Sequence, residues 1–228
     1  MSIVLVEKKS NNFDQRGIDV PVDMLVLHYT GMETAQKALD WLTDDNSKVS
    51  AHYLVDEIGQ IFKLVPEEER AWHAGVASWR GVHDVNARSI GIEIVNPGHE
   101  HGYKCFPLDQ MVAVLQLSKD IISRYLIPAR NILAHSDVAP ARKIDPGELF
   151  NWKWLAREGV GLWPKKVKIK EIRKATLVQN LSDIGYDVSN IRATIEAFQR
   201  RYRPQLITGK LDFETASLIS GLLEAIQN

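Results

Sequence analysis

The sequence has one cysteine, Cys105, in 228 residues. An internal disulfide is therefore excluded, and so is a zinc site built from cysteines; Cys105 reads as a packing or loop position. Long hydrophobic runs are missing too. No stretch approaches the roughly 18 apolar residues that suggest a membrane span. The N-terminal apolar run Ile3–Val6 stops at Glu7 and Lys8, short of the about 7–15 apolar residues of a secretory leader. No membrane span is expected, and the chain reads as cytoplasmic or exported without a recognisable signal peptide. Excess charge of one sign is absent as well: 28 basic against 29 acidic residues give a net charge of −1. No basic field steers the chain to nucleic acid, so no nucleic-acid partner is expected.

What is present is an ordinary globular composition, 45% hydrophobic and 25% charged. The length suits one domain of about 150–170 residues with a small appendage. "VDMLVLHYT" (22–30) reads as a buried strand ending at His28. "ETAQKALDWLTD" (33–44) has helical apolar spacing. "SAHYLVDEIGQIFKLV" (50–65) reads as a hairpin turning at Asp56 to Gly59. In "SIGIEIVN" (89–96), Ile90, Ile92 and Ile94 fall on one strand face and Gly91, Glu93 and Val95 on the other. The longest helical pattern is 108–126, with Asp109 as a candidate cap, and "NILAH" (131–135) follows as a strand. Mixed strands and helices of this kind predict an α/β fold with a mixed central sheet flanked by helices.

A basic stretch near 163–176 marks a composition shift. The expected division is a catalytic domain over 1–165, a linker over 166–173, and a small three-helix domain over 174–228. The three helical patterns carry Leu177, Leu181 and Ile184; then Ile191, Ile195, Phe198 and Tyr202; then Ala216, Leu218, Leu222 and Leu223. Phe198, Tyr202 and Phe213 read as core residues of that bundle.

One stretch stands out chemically. "LAHSDVAPARKIDPG" (133–147) sets a histidine, two aspartates, an arginine and a lysine directly after a strand. It is either a solvated loop or half of a metal site. A catalytic zinc takes three ligands from histidine and carboxylate and keeps a fourth position open. His28, His135 and Asp145 can supply them if the loop containing Pro140, Pro146 and Gly147 folds back. Spacing alone leaves both readings open. "HEH" (99–101) lacks a nearby third ligand and reads as exposed.

The segments "LVLHYT", "VSAHYLVDEIGQI", "AWHAG", "SIGIEIVN" and "AHSDVAPARKIDPG" occur in this order. They resemble the zinc-dependent N-acetylmuramoyl-L-alanine amidases of the type-2 amidase family over roughly residues 20–155. The tail is similar, more loosely, to the three-helix peptidoglycan-binding domain. The resemblance implies Zn2+ held by His28, His135 and Asp145, with Glu93 as general acid/base and Lys143 stabilising the reacting carbonyl. It implies a peptidoglycan or muropeptide substrate, cut between N-acetylmuramic acid and L-alanine. Trp72 and His73 are candidates to line a sugar-peptide groove, and Asn86 and Arg88 to hold a peptide carboxylate. The lack of a leader favours soluble muropeptides, including 1,6-anhydro forms, whereas a wall-binding tail suits polymeric peptidoglycan. A recognition protein that binds muropeptide without cutting it lacks part of this residue set. A peptidase acting within the stem peptide would use similar chemistry.

Overall fold

The computed structural model describes residues 4–227; Met1, Ser2 and Ile3, read above as part of the N-terminal segment, and Asn228 lie outside the described residues. Among the described residues, eight strands and seven α-helices form. The strands are β1 (Leu5–Glu7), β2 (Phe13–Gln15), β3 (Met24–Tyr29), β4 (Tyr53–Val55), β5 (Ile61–Lys63), β6 (Glu69–Ala71), β7 (Ser89–Ile94) and β8 (Ile132–Ala134). The helices are α1 (Ala35–Thr43), α2 (Leu108–Tyr125), α3 (His135–Val138), α4 (Trp152–Arg157), α5 (Lys174–Ile184), α6 (Ile191–Tyr202) and α7 (Phe213–Gln227). No described helix is long and apolar enough to cross a membrane.

Six strands make one sheet in the order β1-β5-β4-β7-β3-β8. β3 and β7, β3 and β8, β4 and β7, and β1 and β5 run parallel; only the β4–β5 hairpin is antiparallel. The sheet is thus mixed, as expected. β2 and β6 form a separate antiparallel pair. Such short strands, preceding loops, carry little periodic signal, and they were not legible in the sequence.

Alternation along the central strands sorts residues between two cores. Leu25 and Leu27 of β3 and Ile90, Ile92 and Ile94 of β7 pack under α2 against Val114, Leu117 and Ile121. Met24 and Val26 face the other way, where Leu133, Trp79 and the C-terminal helices meet them through Leu181, Phe198 and Ile219. A third cluster joins Leu39 and Leu42 of α1 to Leu54 and Val95. His28 follows Met24 and Val26 onto the second face. Glu93 likewise parts company with its isoleucine neighbours.

Several expectations shift by a residue or two. β3 runs one residue past His28, to Tyr29, and His135 opens α3 rather than closing β8. Asp109 sits in the first turn of α2, where the helix dipole favours an acid, while Pro107 holds the cap position. The three tail helices form where the periodicity put them. Their apolar faces join the same buried cluster as the sheet, so Phe198 and Met24 belong to one core. Phe213 lies exposed, not buried with Phe198 and Tyr202.

The C-terminal helices also reach α3 through polar groups. Asp137 accepts hydrogen bonds from Arg201 of α6, from the Tyr186 hydroxyl at 2.7 Å and from the Ala134 N–H at 2.8 Å. Arg201 also donates to the Ile132 carbonyl at 2.9 Å and lies 4.0 Å from the Trp152 ring centre.

Candidate metal centre and its cleft

His28 and Glu93 occupy paired positions on neighbouring parallel strands, β3 and β7. Adjacent strands are about 4.8 Å apart, so paired residues on one face sit side by side. β8 is the strand on the other side of β3, and its end delivers His135 to the same place. Ligand sites in α/β sheets lie at such carboxyl ends. Asp145 arrives by a folded-back loop. The Ser136 N–H donates to the Asp145 carbonyl at 3.0 Å, and the Arg142 and Lys143 N–H groups both turn onto the Ala139 carbonyl. Gly147 finishes the turn at φ +85°, with the Tyr103 hydroxyl where a side chain would be.

The three ligand atoms converge. His28 Nδ1 and His135 Nδ1 are 2.9 Å apart, and Asp145 Oδ2 lies 3.2 Å from the first and 3.1 Å from the second. With zinc bonds of about 2.0–2.2 Å, a tetrahedral site spaces its ligand atoms by roughly 3.3–3.5 Å, so the triangle needs only slight expansion. His135 Nε2 lies 3.0 Å from the Ala74 carbonyl, which can only accept; the ring proton is thus held on Nε2 and the Nδ1 lone pair is left to ligate. Two imidazoles and a carboxylate suit zinc. Among the described residues this is the group of His, Cys, Asp and Glu side chains able to surround an ion. Cys105 is exposed, and His99 of the "HEH" stretch is occupied by Glu148 at 3.1 Å and the Tyr29 hydroxyl at 3.0 Å.

Burial sets the electrostatics. It lowers His28 to about 4, helped by the neighbouring His135, so the imidazole is neutral at pH 7. Burial also depresses His73 well below its ordinary value, with His28 and His52 adding to the effect. Asp145 is raised by burial but lowered more by His135 and His28, and stays ionised. Glu93 moves the opposite way: burial, then repulsion from Asp145, pushes its carboxyl well up against the opposing pull of Lys143. Its Oε2 is enclosed and has no hydrogen-bond partner. Lys143 is half-buried and makes no ion pair among the described residues.

Glu93, His135, Lys143 and Asp145 line a cleft of about 460 Å³ with Tyr29, Trp41 and Trp72 on its walls. Of the proposed substrate contacts, Trp72 is half-buried on the cleft wall. His73 also borders the cleft, but its ring is buried against His28. Asn86 and Arg88 are not brought to it. The Asn86 Oδ1 accepts from the His73 and Ala74 N–H groups at 3.2 and 2.8 Å, and Arg88 is committed to Asp23. Asn86 is spent on holding backbone and Arg88 on the Asp23 carboxylate, so neither is free for a peptide carboxylate. Sequence reasoning missed Tyr29 and Trp41; the first was hidden as the end of an apolar strand, the second as one exposed position of an amphipathic helix.

The family profile described as N-acetylmuramoyl-L-alanine amidase matches residues 19–148. The N-acetylmuramoyl-L-alanine amidase AmiD of Escherichia coli (strain K12) is 39% identical over 252 residues, covering 96% of this chain and 90% of its own. The structure of AmiD from E. coli in complex with the substrate anhydro-N-acetylmuramic acid-L-Ala-D-gamma-Glu-L-Lys superposes with a TM-score of 0.81 at 37% identity, covering 92% of this chain and 93% of that one. AmpDh3 from Pseudomonas aeruginosa, in complex with anhydromuramic pentapeptide, gives 0.83 at 33% identity, covering 90% of this chain and 92% of that one. A mixed sheet that pairs His28 with Glu93 and leads into His135 just past the end of β8, in a chain matched along nearly its whole length by such relatives, identifies the chain as a member of the N-acetylmuramoyl-L-alanine amidase family.

Proposed function

We propose that this chain is a zinc-dependent amidase that hydrolyses the bond between N-acetylmuramic acid and the L-alanine of a stem peptide, 1,6-anhydro forms included. The observation that carries the reading is the pairing of a three-atom ligand triangle with Glu93, whose Oε2 has no partner, in one cleft. The anhydromuramyl ligands bound in the AmiD and AmpDh3 structures support the substrate class.

An amide is a poor electrophile and water a poor nucleophile. His28, His135 and Asp145 would hold zinc, which when bound would lower the pKa of water toward about 7 and polarise a carbonyl. Glu93 then removes a proton from the attacking water as the new C–O bond forms. A carboxyl raised by its surroundings keeps that proton readily and returns it to the L-alanine nitrogen as the C–N bond breaks. Lys143 presents a positive charge to the carbonyl oxygen as negative charge collects there. The products are the free lactyl carboxylate of the sugar and an intact stem peptide.

The three C-terminal helices are assigned a second role, holding polymeric peptidoglycan. The loose similarity of the tail to peptidoglycan-binding modules supports this.

The test is mass spectrometry of digests of anhydro, reducing-end and polymeric substrates, with and without chelator. Intact stem peptide beside free sugar is expected; a shortened stem still joined to the sugar would mean a peptidase. Zinc-loaded Glu93→Gln should lose a factor of about 10² to 10⁴ in turnover. Near wild-type turnover would remove Glu93 from the reaction.

A further inference from the structure

Beneath the metal ligands runs a line of buried polar groups. His28 Nε2 lies 3.0 Å from His73 Nδ1, His73 Nε2 lies 3.1 Å from Ser89 Oγ, and Ser89 Oγ lies 2.6 Å from the Val85 carbonyl oxygen. His28, His73 and Ser89 are each less than a tenth exposed. No bond in this line leaves the direction of the protons open once its far end is fixed. A carbonyl only accepts, so the single Ser89 hydroxyl proton goes to Val85. The Ser89 oxygen must then accept from His73, which places the His73 proton on Nε2. His73 Nδ1 is left as an acceptor and takes the proton of His28 Nε2. The Nδ1 of His28 is thereby stripped, and it is the atom that faces His135 and Asp145.

The sequence makes room for this line. Ser89, Gly91 and Glu93 share one face of β7. A Cβ on Gly91 would lie 2.5 Å from His73 Cγ, closer than real contacts allow, so the ring occupies the space of the missing side chain. The backbone of residues 73 and 74 is held at both N–H groups by the Asn86 side chain. The next residue serves the second histidine, since the Ala74 carbonyl accepts from His135 Nε2 at 3.0 Å and from Arg142 at 2.6 Å. One dipeptide, His73–Ala74, therefore orients both imidazoles.

We infer that His73 and Ser89, clamped by Asn86, are positioning residues that lock His28 in the tautomer whose Nδ1 lone pair points to the metal. The inference rests on the proposed zinc site. Ligating histidines are commonly fixed through their second nitrogen, and loss of such a partner typically costs 10–100-fold in metal affinity. His28 differs in that its partner is another neutral imidazole, which must itself be locked by a serine.

The test compares wild type, His73→Leu, His73→Asn and Ser89→Ala. Asparagine keeps an acceptor near the position of His73 Nδ1; leucine does not. Zinc dissociation constants come from competition with a chelating dye, and the His28 tautomer from long-range 15N–1H NMR of the metal-free proteins. The expected result is a His28 proton on Nε2 in wild type, zinc binding weakened by about 10–100-fold in His73→Leu, and recovery of most of that loss in His73→Asn. Ser89→Ala should release the His28 tautomer into a mixture. A wild-type His28 protonated on Nδ1, or equal zinc affinity in wild type and His73→Leu, overturns the inference. So does an equal loss in the leucine and asparagine variants that follows their thermal midpoints, because that is a packing effect. If His73→Leu does not fold, His73→Asn and Ser89→Ala still decide through the tautomer. A wild-type protein that binds no zinc overturns the metal site itself, a result separable from failure of the relay alone.

Discussion

Arg201 and Asp137 form an ion pair with side chains 4% and 0% exposed, joining α6 of the C-terminal helices to the short helix that begins with His135. Removing one partner of a buried pair strands the other charge, which typically costs about 3–5 kcal/mol. Arg201→Ala is therefore expected to lower the unfolding free energy by about that amount in urea titration. The Arg201→Ala, Asp137→Ala double variant should lose less than the two single losses combined. Strict additivity would show that the two side chains do not depend on each other.

The same connection bears on truncation. Removing residues 171–228 uncovers Met24, Val26 and Leu133 and takes both Tyr186 and Arg201 from Asp137. Cleavage of small muropeptides and of whole sacculi should both fall in the shortened chain. Retention of full activity on small muropeptides alone would mean that the sheet face tolerates exposure and that the helices serve polymer binding only. The composition shift near 163–176 marks the start of the tail but carries no information about the surface it packs on.

Stability should depend on pH through His52. Burial, with Arg16 second, lowers its pKa from 6.5 to about 3. Its Nδ1 accepts from the Gly91 N–H at 2.9 Å. Between these two pKa values the unfolded chain binds the proton and the folded chain does not. The stabilisation is complete above pH 6.5 and is lost as pH falls toward 3, with a slope of up to about 1.4 kcal/mol per pH unit. His52→Gln should flatten this part of the curve in urea melts taken across the window. An unchanged slope would show that His52 is already protonated in the fold.

Metal addition offers an independent check on the ligand set. An ion that binds only the folded chain stabilises it by about 2.7 kcal/mol at a free concentration 100 times its Kd. Zinc is expected to raise the thermal midpoint of the wild type, and a chelator to reverse the rise. His135→Ala and Asp145→Ala should abolish most of the shift. A full shift in either variant would place the ion elsewhere.

Lys143→Met tests the oxyanion role. Loss of such a donor commonly costs about 3–4 kcal/mol, a factor of about 10² to 10³ in kcat. KM should move much less. A change confined to KM would assign Lys143 to substrate binding.

The proposed metal ligands were named through the family resemblance, and each sits beside a recognisable boundary. His28 is near the end of an apolar strand, His135 follows another, and Asp145 precedes Pro146 and Gly147 in a turn. The strand face of Glu93 was legible from the period of two in "SIGIEIVN", while its proposed role came with the resemblance. The contacts of His73 were not, because its partners His28 and Ser89 lie 45 and 16 residues away and only the β3–β7 pairing brings them to one ring. Asn86 and Arg88 were misread for a related reason. Polar residues beside a cleft look free in sequence, while the backbone N–H groups and the Asp23 carboxylate they satisfy appear only in three dimensions.

The row Ser89, Gly91, Glu93 has a consequence for how this enzyme can vary. Its members sit together only because they share a side of β7, and the intervening isoleucines fill the opposite core. Loss or gain of a single residue within the row would exchange the two sets, sending isoleucines into the catalytic cleft and a serine, a glycine and an acid into hydrocarbon. Substitutions along this strand can be graded in their damage, but a change in its length cannot be.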